Sequence, residues 1–117
     1  MAVGASGVHH IAIIVNDLDA ARRFYCDAFG MQEIPRPPFE SEGFWVEIGA
    51  QQLHVSLGEE PAPKRNHFAI AVADIDRAVE HLEQAGVSVR RGGEVAGAGA
   101  QAFTRDPSGN LLELNQQ

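Results

Sequence analysis

The sequence predicts an α+β fold: two tandem β-α-β-β-β modules that form curved mixed sheets. Three observations predict it. The run His10-Ile11-Ala12-Ile13-Ile14-Val15 with Asp17-Leu18-Asp19 returns 57 residues later as His67-Phe68-Ala69-Ile70-Ala71-Val72 with Asp74-Ile75-Asp76. A repeat of that period marks a duplicated supersecondary unit. Each copy is followed by helical periodicity and then by short apolar segments at hairpin spacing. Finally, 117 residues with 44% hydrophobic and 21% charged content make one domain of ordinary globular composition. Module 1 runs over about 6–57 and module 2 over about 66–115, within a single domain 1–117.

Taken in order, Val8 to Val15 is short, apolar and β-branched, which predicts a strand. Asp17 is a suitable N-cap, and Leu18, Ala21, Tyr25 and Ala28 fall at helical spacing up to Gly30, where free access to positive φ ends the helix. Met31 to Ile34 is a short third element, and Pro35, Pro37 and Pro38 form a linker. Phe44 to Ile48 and Leu53 to Leu57 predict a hairpin turning at Gly49 to Gln52. In module 2, His67 to Val72 is a strand. Asp74 caps a helix carrying Ile75, Ala78, Val79, Leu82 and Ala85, and Gly86 closes it. Val87 to Arg90, Ala102 to Arg105 and Leu111 to Leu114 are the remaining strands, with Asp106-Pro107-Ser108-Gly109-Asn110 a strong turn signal. Gly92 to Ala100 is nearly all Gly and Ala and is expected to be a loose loop, with a lid as the alternative.

Composition excludes several classes. A formal charge of −7 is the wrong sign for a phosphate backbone or an anionic membrane surface, so no nucleic acid and no membrane partner is expected. The longest apolar runs are far too short to span a bilayer. The first eight residues have neither the basic start nor the apolar segment of a signal peptide. One cysteine, Cys26, allows no internal disulfide; it suits a reducing cytoplasm and is expected to be a packed thiol rather than a nucleophile.

The chemistry lies in the strands. Side chains alternate between faces, so Ile11, Ile13 and Val15 oppose His10, Ala12 and Ile14, while Phe68, Ile70 and Val72 oppose His67, Ala69 and Ala71. The bulky face suits the helix; the histidine face, lined mainly by alanine, leaves room. The last strands match as well: Leu53-His54-Val55 has the form of Leu112-Glu113-Leu114. His10, His54, His67 and Glu113 thus occupy two symmetric pairs of positions. A buried Glu without a partner is costly, and three imidazoles with one carboxylate are best explained by one divalent transition metal. Two His and one carboxylate with open positions suit Fe²⁺ or Mn²⁺, and Zn²⁺, Ni²⁺ or Co²⁺ accepts the same ligands. His54 is either a fourth ligand or a neutral group facing substrate. His9, with the opposite direction, and His81, on a helix between Glu80 and Glu83, are expected to be solvated.

These residues, together with Phe24-Tyr25, Phe29-Gly30-Met31 and the segment Asp106 to Leu114, resemble the vicinal oxygen chelate superfamily. It includes glyoxalase I, the fosfomycin and bleomycin resistance proteins, methylmalonyl-CoA epimerase and the extradiol dioxygenases. The resemblance implies a glyoxalase-like fold with His10, His67 and Glu113 as metal ligands. His54 stands where some members place a fourth ligand, usually a glutamate. It also implies a substrate chelated through two neighbouring oxygens, with Glu113 and His54 as catalytic residues and Gln52, Phe103 and Arg105 as candidate substrate-binding residues. A metal-dependent lyase or isomerase of the glyoxalase type is the leading expectation. The alternatives are an antibiotic-resistance protein, fosfomycin-modifying or bleomycin-sequestering, and then a small extradiol-type dioxygenase. Against glyoxalase I itself, Ile14 stands where that enzyme carries an arginine for glutathione; against a fosfomycin-type role, Phe103 stands in place of a tyrosine. Trp45, Phe44 and Phe103 are either stacking surface or core. Two prolines in the linker Leu57 to Asn66 favour an extended path, and members of this length resemble homodimers with sites at the interface. His10 and His54 of one subunit are then expected to meet His67 and Glu113 of the other.

Overall fold

The computed structural model describes residues 2–93 and 96–117. The element order repeats as the sequence predicts. Strand β1 (His10–Val15) is followed by helix α1 (Leu18–Arg22), a π-helical segment (Arg23–Ala28), β2 (Gln32–Ile34), β3 (Gly43–Ile48) and β4 (Gln51–Leu57). Then come β5 (His67–Val72), α2 (Ile75–Gln84), β6 (Arg90–Arg91), β7 (Gln101–Arg105) and β8 (Leu111–Gln116). They form two four-stranded mixed sheets, β1-β4-β3-β2 and β5-β8-β7-β6. In each, the first strand of the module runs parallel to the last, and the other pairs are antiparallel.

Both helices start as expected. Asp17 accepts the amide of Ala20 and Asp74 that of Arg77, each satisfying one of the donors that a helix start leaves free. Several boundaries differ, three of them for evident reasons, while β4 starts two residues earlier and β8 ends two residues later than predicted. The first strand begins at His10 rather than Val8, because its ladder partner ends at Gln51–Gln52 and Val8 is left exposed. The predicted first helix widens after Arg22 into a π-helical turn, with the amide of Phe29 bonding the carbonyl of Phe24 at 3.0 Å. The wider turn brings the adjacent Phe24 and Tyr25, together with Ala28, into the core, which a regular 3.6-residue period does less readily. The strand predicted at Val87 to Arg90 pairs only at Arg90 and Arg91. The chain before it is fixed instead by Val87 bonding back to Leu82 and by the Thr104 hydroxyl donating to the Ser88 carbonyl at 2.7 Å.

The alternation of faces holds. Val15, Val46, Leu53 and Val55 from the first sheet and Leu112 and Leu114 from the second enter one continuous core with the inward residues of both helical segments. Histidine-face residues Ala12, Ala69 and Ala71 stay exposed. The Asp106–Asn110 turn clips the modules together. The Tyr25 hydroxyl donates to Asp106 Oδ2 at 2.7 Å, the Asn110 amide donates to the Ile14 carbonyl at 2.9 Å, and Asn16 N donates to Ser108 Oγ at 2.9 Å. Asp106 also accepts from the amides of Ser108 and Asn110 and from the Asn110 side chain, so its buried carboxylate is well satisfied. Burial, reinforced by that carboxylate, pushes the Tyr25 hydroxyl far above its ordinary titration range.

The described parts of the small-residue segment after Gly92 are tied to β7 and β8 at Gly92, Ala98 and Ala100. Gly92 N bonds Gln101 O, Gln116 N bonds Ala100 O and the Asn115 amide donates to Ala98 O. Gly99, at φ +74, lies so close to β8 that an added Cβ would come within 2.6 Å of the Gln116 carbonyl; only glycine accepts both conditions. Glu94 and Val95 of that segment lie outside the described residues.

Candidate metal centre in two halves

In the first sheet the candidate site side chains form a row across the strands. His54, central on β4, lies opposite Ala12 of β1 and Trp45 of β3. Its ring stacks on the Trp45 indole, with centroids 3.7 Å apart and planes within 3°, and on His10 at 4.0 Å and 17°. Beyond Trp45 the row continues into the Pro35–Glu42 loop, where Phe39 lies 6.0 Å from the indole and the Arg36 guanidinium sits 5.0 Å over Phe39. His54 Nε2 meets Gln52 Oε1 at 2.9 Å. With the amide oxygen as acceptor, Nε2 carries the proton and Nδ1 the lone pair. Burial, followed by the charges of His10, His9 and Arg36, holds this imidazole below its ordinary value of 6.5. It is therefore neutral at pH 7.

The second sheet repeats the row with different chemistry. His67 of β5 and Glu113 of β8 meet at 3.2 Å, Nε2 to Oε1, with Phe103 of β7 6.1 Å from the His67 ring and Arg90 of β6 5.1 Å over Phe103. Glu113 is only 8% exposed, and its other oxygen accepts from Asn115 at 3.0 Å. His67 Nδ1 lies 2.9 Å from the carbonyl of Arg65. A carbonyl only accepts, so Nδ1 is the protonated nitrogen. A neutral ring then turns a lone pair at Nε2 toward a carboxylate lone pair, which is repulsive unless a cation, a proton or a metal ion, lies between them. Two donors about 2.0–2.2 Å from one first-row ion lie about 3 Å apart, and a backbone carbonyl on the far ring nitrogen is a usual outer partner of a metal-bound histidine. The residues fit a divalent ion.

The four expected ligands come together as two pairs. Among the described residues, no three groups gather closely enough to hold an ion within one chain. The His10–His54 pair is also not a chelating pair in this arrangement. A ligating imidazole holds the ion in its own ring plane, and two nearly parallel rings 4.0 Å apart have no common point of that kind. His10 can serve as a ligand while His54 lies against it; both serve only if one ring turns.

The other expected residues divide. Gln52 orients His54, and Phe103 borders His67. Arg105 is engaged elsewhere: its guanidinium bonds the carbonyls of Gly109 and Lys64 at 2.9 and 3.1 Å, fastening the linker to the turn. Phe44 is core, 1% exposed, whereas Trp45 is half-buried on the site face. His9 was expected to point away, but it precedes the strand, so alternation does not govern it; its Nδ1 lies 2.9 Å from Nδ1 of His10. His81 is exposed with one nitrogen 3.1 Å from the Ala28 carbonyl. Burial and the neighbouring Glu33 and Asp27 push the Cys26 thiol up, which makes it a poor nucleophile. Arg36 and Asn115 were not anticipated. The proline-rich stretch reads as linker, and Asn115 lies past the predicted end of its strand; period-2 alternation carried two residues on from Glu113 was the available signal.

The model of the Glyoxalase/Bleomycin resistance protein/Dioxygenase superfamily matches residues 7–114. The chain belongs to this family. Lactoylglutathione lyase GLX1 of Arabidopsis thaliana is 31% identical, over 92% of this chain and 43% of its own length; the chain spans less than half of that relative. The crystal structure of a protein assigned to the glyoxalase family from Bacillus anthracis superposes with a TM-score of 0.89 at 28% identity, covering 100% of this chain and 99% of that one. The fosfomycin resistance protein FosX of Listeria monocytogenes, solved with Mn(II) and 1S,2S-dihydroxypropylphosphonic acid, shares the fold at 24% identity and a TM-score of 0.84, over 96% and 92% of the two chains.

Proposed function

We propose that the protein is a metal-dependent, glyoxalase-like lyase or isomerase acting on a small substrate that presents two adjacent oxygens. The observation that carries the reading is the His67–Glu113 pair, whose opposed lone pairs call for a cation between them. His10, on the equivalent position of the repeat, supplies the third ligand. When bound, a divalent ion such as Mn²⁺, Fe²⁺, Zn²⁺, Ni²⁺ or Co²⁺ acts as a Lewis acid toward the two substrate oxygens. Asn115 holds the Glu113 carboxylate in place. His54, neutral and with Nδ1 free to accept, is the group that takes and returns a proton between neighbouring substrate carbons, and Gln52 fixes its tautomer.

Each chain carries one histidine pair and one His–Glu pair. We therefore place the complete site between two copies of the chain, His10 and His54 of one protomer against His67 and Glu113 of its partner, in a two-fold homodimer with two equivalent sites. Sequestration of a drug without metal is the competing reading, favoured by the flat ring surface of Trp45 and His54.

Metal analysis of tag-free protein reconstituted with each ion, followed by assays on 1,2-dicarbonyl, thiol-adduct, epoxide and catechol substrates, decides between them. One ion per chain and turnover of one substrate class is the expected result. Absence of stoichiometric binding for every ion removes the catalytic reading. Activity regained when a His10→Ala protein is refolded with a Glu113→Gln protein supports the shared site, because one of the two sites in the mixed dimer is then intact; a monomer at micromolar concentration rejects it.

A further inference from the structure

The histidines that open the two repeats, His10 and His67, are each held at the same ring atom. His67 Nδ1 meets the backbone carbonyl of Arg65 at 2.9 Å, and His10 Nδ1 meets Nδ1 of His9 at 2.9 Å. The distance is shared but the partner is not. Module 2 uses main chain two residues back, and module 1 uses the neighbouring side chain. Alternation would send neighbouring strand residues to opposite faces. His9 escapes it because it stands just before β1, and its ring turns edge-on to His10, with centroids 5.2 Å apart and planes at 86°.

His9 is anchored on β4. Its carbonyl accepts from the Gln52 backbone amide at 3.4 Å, while the Gln52 side chain meets His54 Nε2 at 2.9 Å. One residue thereby seats both neighbours of His10, whose ring lies between the edge of His9 and the face of His54, 4.0 Å away. His9 and His10 are both exposed, so core packing does not press them together.

Two ring nitrogens at 2.9 Å need one hydrogen between them, and only one assignment leaves His10 able to ligate. If His9 donated, His10 would carry its own proton on Nε2, and neither of its nitrogens would be left for an ion. If His10 donates from Nδ1, its Nε2 keeps a lone pair, as that of His67 does beside Glu113. An imidazole left to water favours the opposite tautomer, with the proton on Nε2. A ligand that binds through Nε2 therefore needs an acceptor at Nδ1 to hold it in the binding form.

We propose that His9 is the positioning residue of His10: it accepts the Nδ1 hydrogen of that ring and keeps the Nε2 lone pair free for the ion. This rests on the metal reading above for the ion alone, because the tautomer it assigns is present in the metal-free protein as well. His9 does in module 1, with a side chain, what the Arg65 carbonyl does in module 2.

Proton–nitrogen correlation spectra of the imidazoles in metal-free protein, taken above the ordinary imidazole titration range, read the tautomer directly. Wild type should show His10 protonated at Nδ1. His9→Ala, and His9→Phe, which keeps a ring but offers no acceptor, should shift His10 to the Nε2-protonated form. His9→Asn places Oδ1 where Nδ1 stood and should restore the wild-type tautomer. His67, held by main chain, should stay the same in every variant. Zn²⁺ affinity by calorimetry should fall about tenfold in His9→Ala and His9→Phe, and by less than about threefold in His9→Asn. Circular dichroism of each variant checks folding. His10 protonated at Nε2 in wild type, one tautomer shared by wild type and His9→Ala, or equal Zn²⁺ affinity in those two proteins overturns the proposal. The two readings fail separately. The expected tautomers without Zn²⁺ binding by wild type uphold the His9–His10 orientation and remove the metal reading. Zn²⁺ binding that Glu113→Gln weakens, with no change of tautomer in His9→Ala, keeps the metal reading and removes the role of His9.

Discussion

At the middle of its last strand, module 1 carries His54, stacked between Trp45 and His10; at the same place module 2 carries Glu113, nearly buried, held by Asn115 and facing His67. The backbone plan is shared down to the register, since His54 faces Ala12 and Trp45 as Glu113 faces Ala69 and Phe103. The chemistry is opposite. One half offers stacked rings, the other an anion that accepts from the Asn115 amide and faces the His67 ring. Duplication preserves where a side chain points, because that is set by the strand; it does not preserve charge. In the proposed site the two halves divide the work, one binding the cation and the other completing its coordination and facing substrate.

The sharpest way to break this comparison is to neutralise the anionic half. Glu113→Gln removes the one charged ligand of the proposed site while keeping its shape, so affinity for Mn²⁺ or Zn²⁺ should fall at least about 100-fold by calorimetric titration, with the circular dichroism spectrum unchanged. An affinity within a few-fold of wild type would falsify its role as ligand.

Next in size is the clip that sets the two halves beside each other. Tyr25→Phe deprives the buried Asp106 of its hydroxyl donor, and thermal or urea unfolding should register a loss of about 1–3 kcal/mol. The site residues are untouched, so metal affinity should stay close to wild type. If affinity falls with stability, the halves are coupled through this clip and are not independent.

A subtler change tests the partner of Glu113. Asn115→Ala leaves every ligand in place but frees the carboxylate to turn, and metal affinity should drop about tenfold. The opposite half gives the contrast: His54→Ala should lower turnover strongly while changing metal affinity by less than about threefold, as befits a ring that lies parallel to His10. A drop as large as that of Glu113→Gln would show that the ring turns and ligates.

The smallest effect concerns protonation. The His54 midpoint is lowered, so the folded state binds its proton less readily than the unfolded chain does. Its contribution to stability is present above pH 6.5 and is lost as pH falls through the lowered folded midpoint. In metal-free protein, imidazole resonances followed by NMR should place the His54 midpoint below 6.5. Arg36→Gln, which removes one of the repelling charges, should move the midpoint upward; a downward move would mean that the Arg36 charge does not reach this ring.

Much of this was legible without coordinates. Period-2 alternation placed His10, His67 and Glu113 on one face and Leu53, Leu112 and Leu114 on the other, because strand geometry alone decides it. Asp17 and Asp74 announced their helices through local capping chemistry. The repeat gave the module count and the pairing of equivalent positions. Misplaced boundaries fell where a local rule met a non-local demand. The first helix widened because Phe24 and Tyr25 both had to reach the core, and β6 shortened because Ser88 is held from β7 by Thr104.

Sequence by itself determined which side chains share a face, since side-chain direction follows from the backbone period of each strand and needs no neighbour. Only the tertiary structure decided how those side chains meet: the four candidate ligands as two separate pairs, His54 as a stacked ring, Arg105 spent on the turn and Arg36 brought to the site from a proline-rich loop. The physical reason is range. Alternation and capping act over a few residues, while the distance between two sheets and the path of a loop emerge from packing summed over the whole core, to which no short stretch of sequence holds the key.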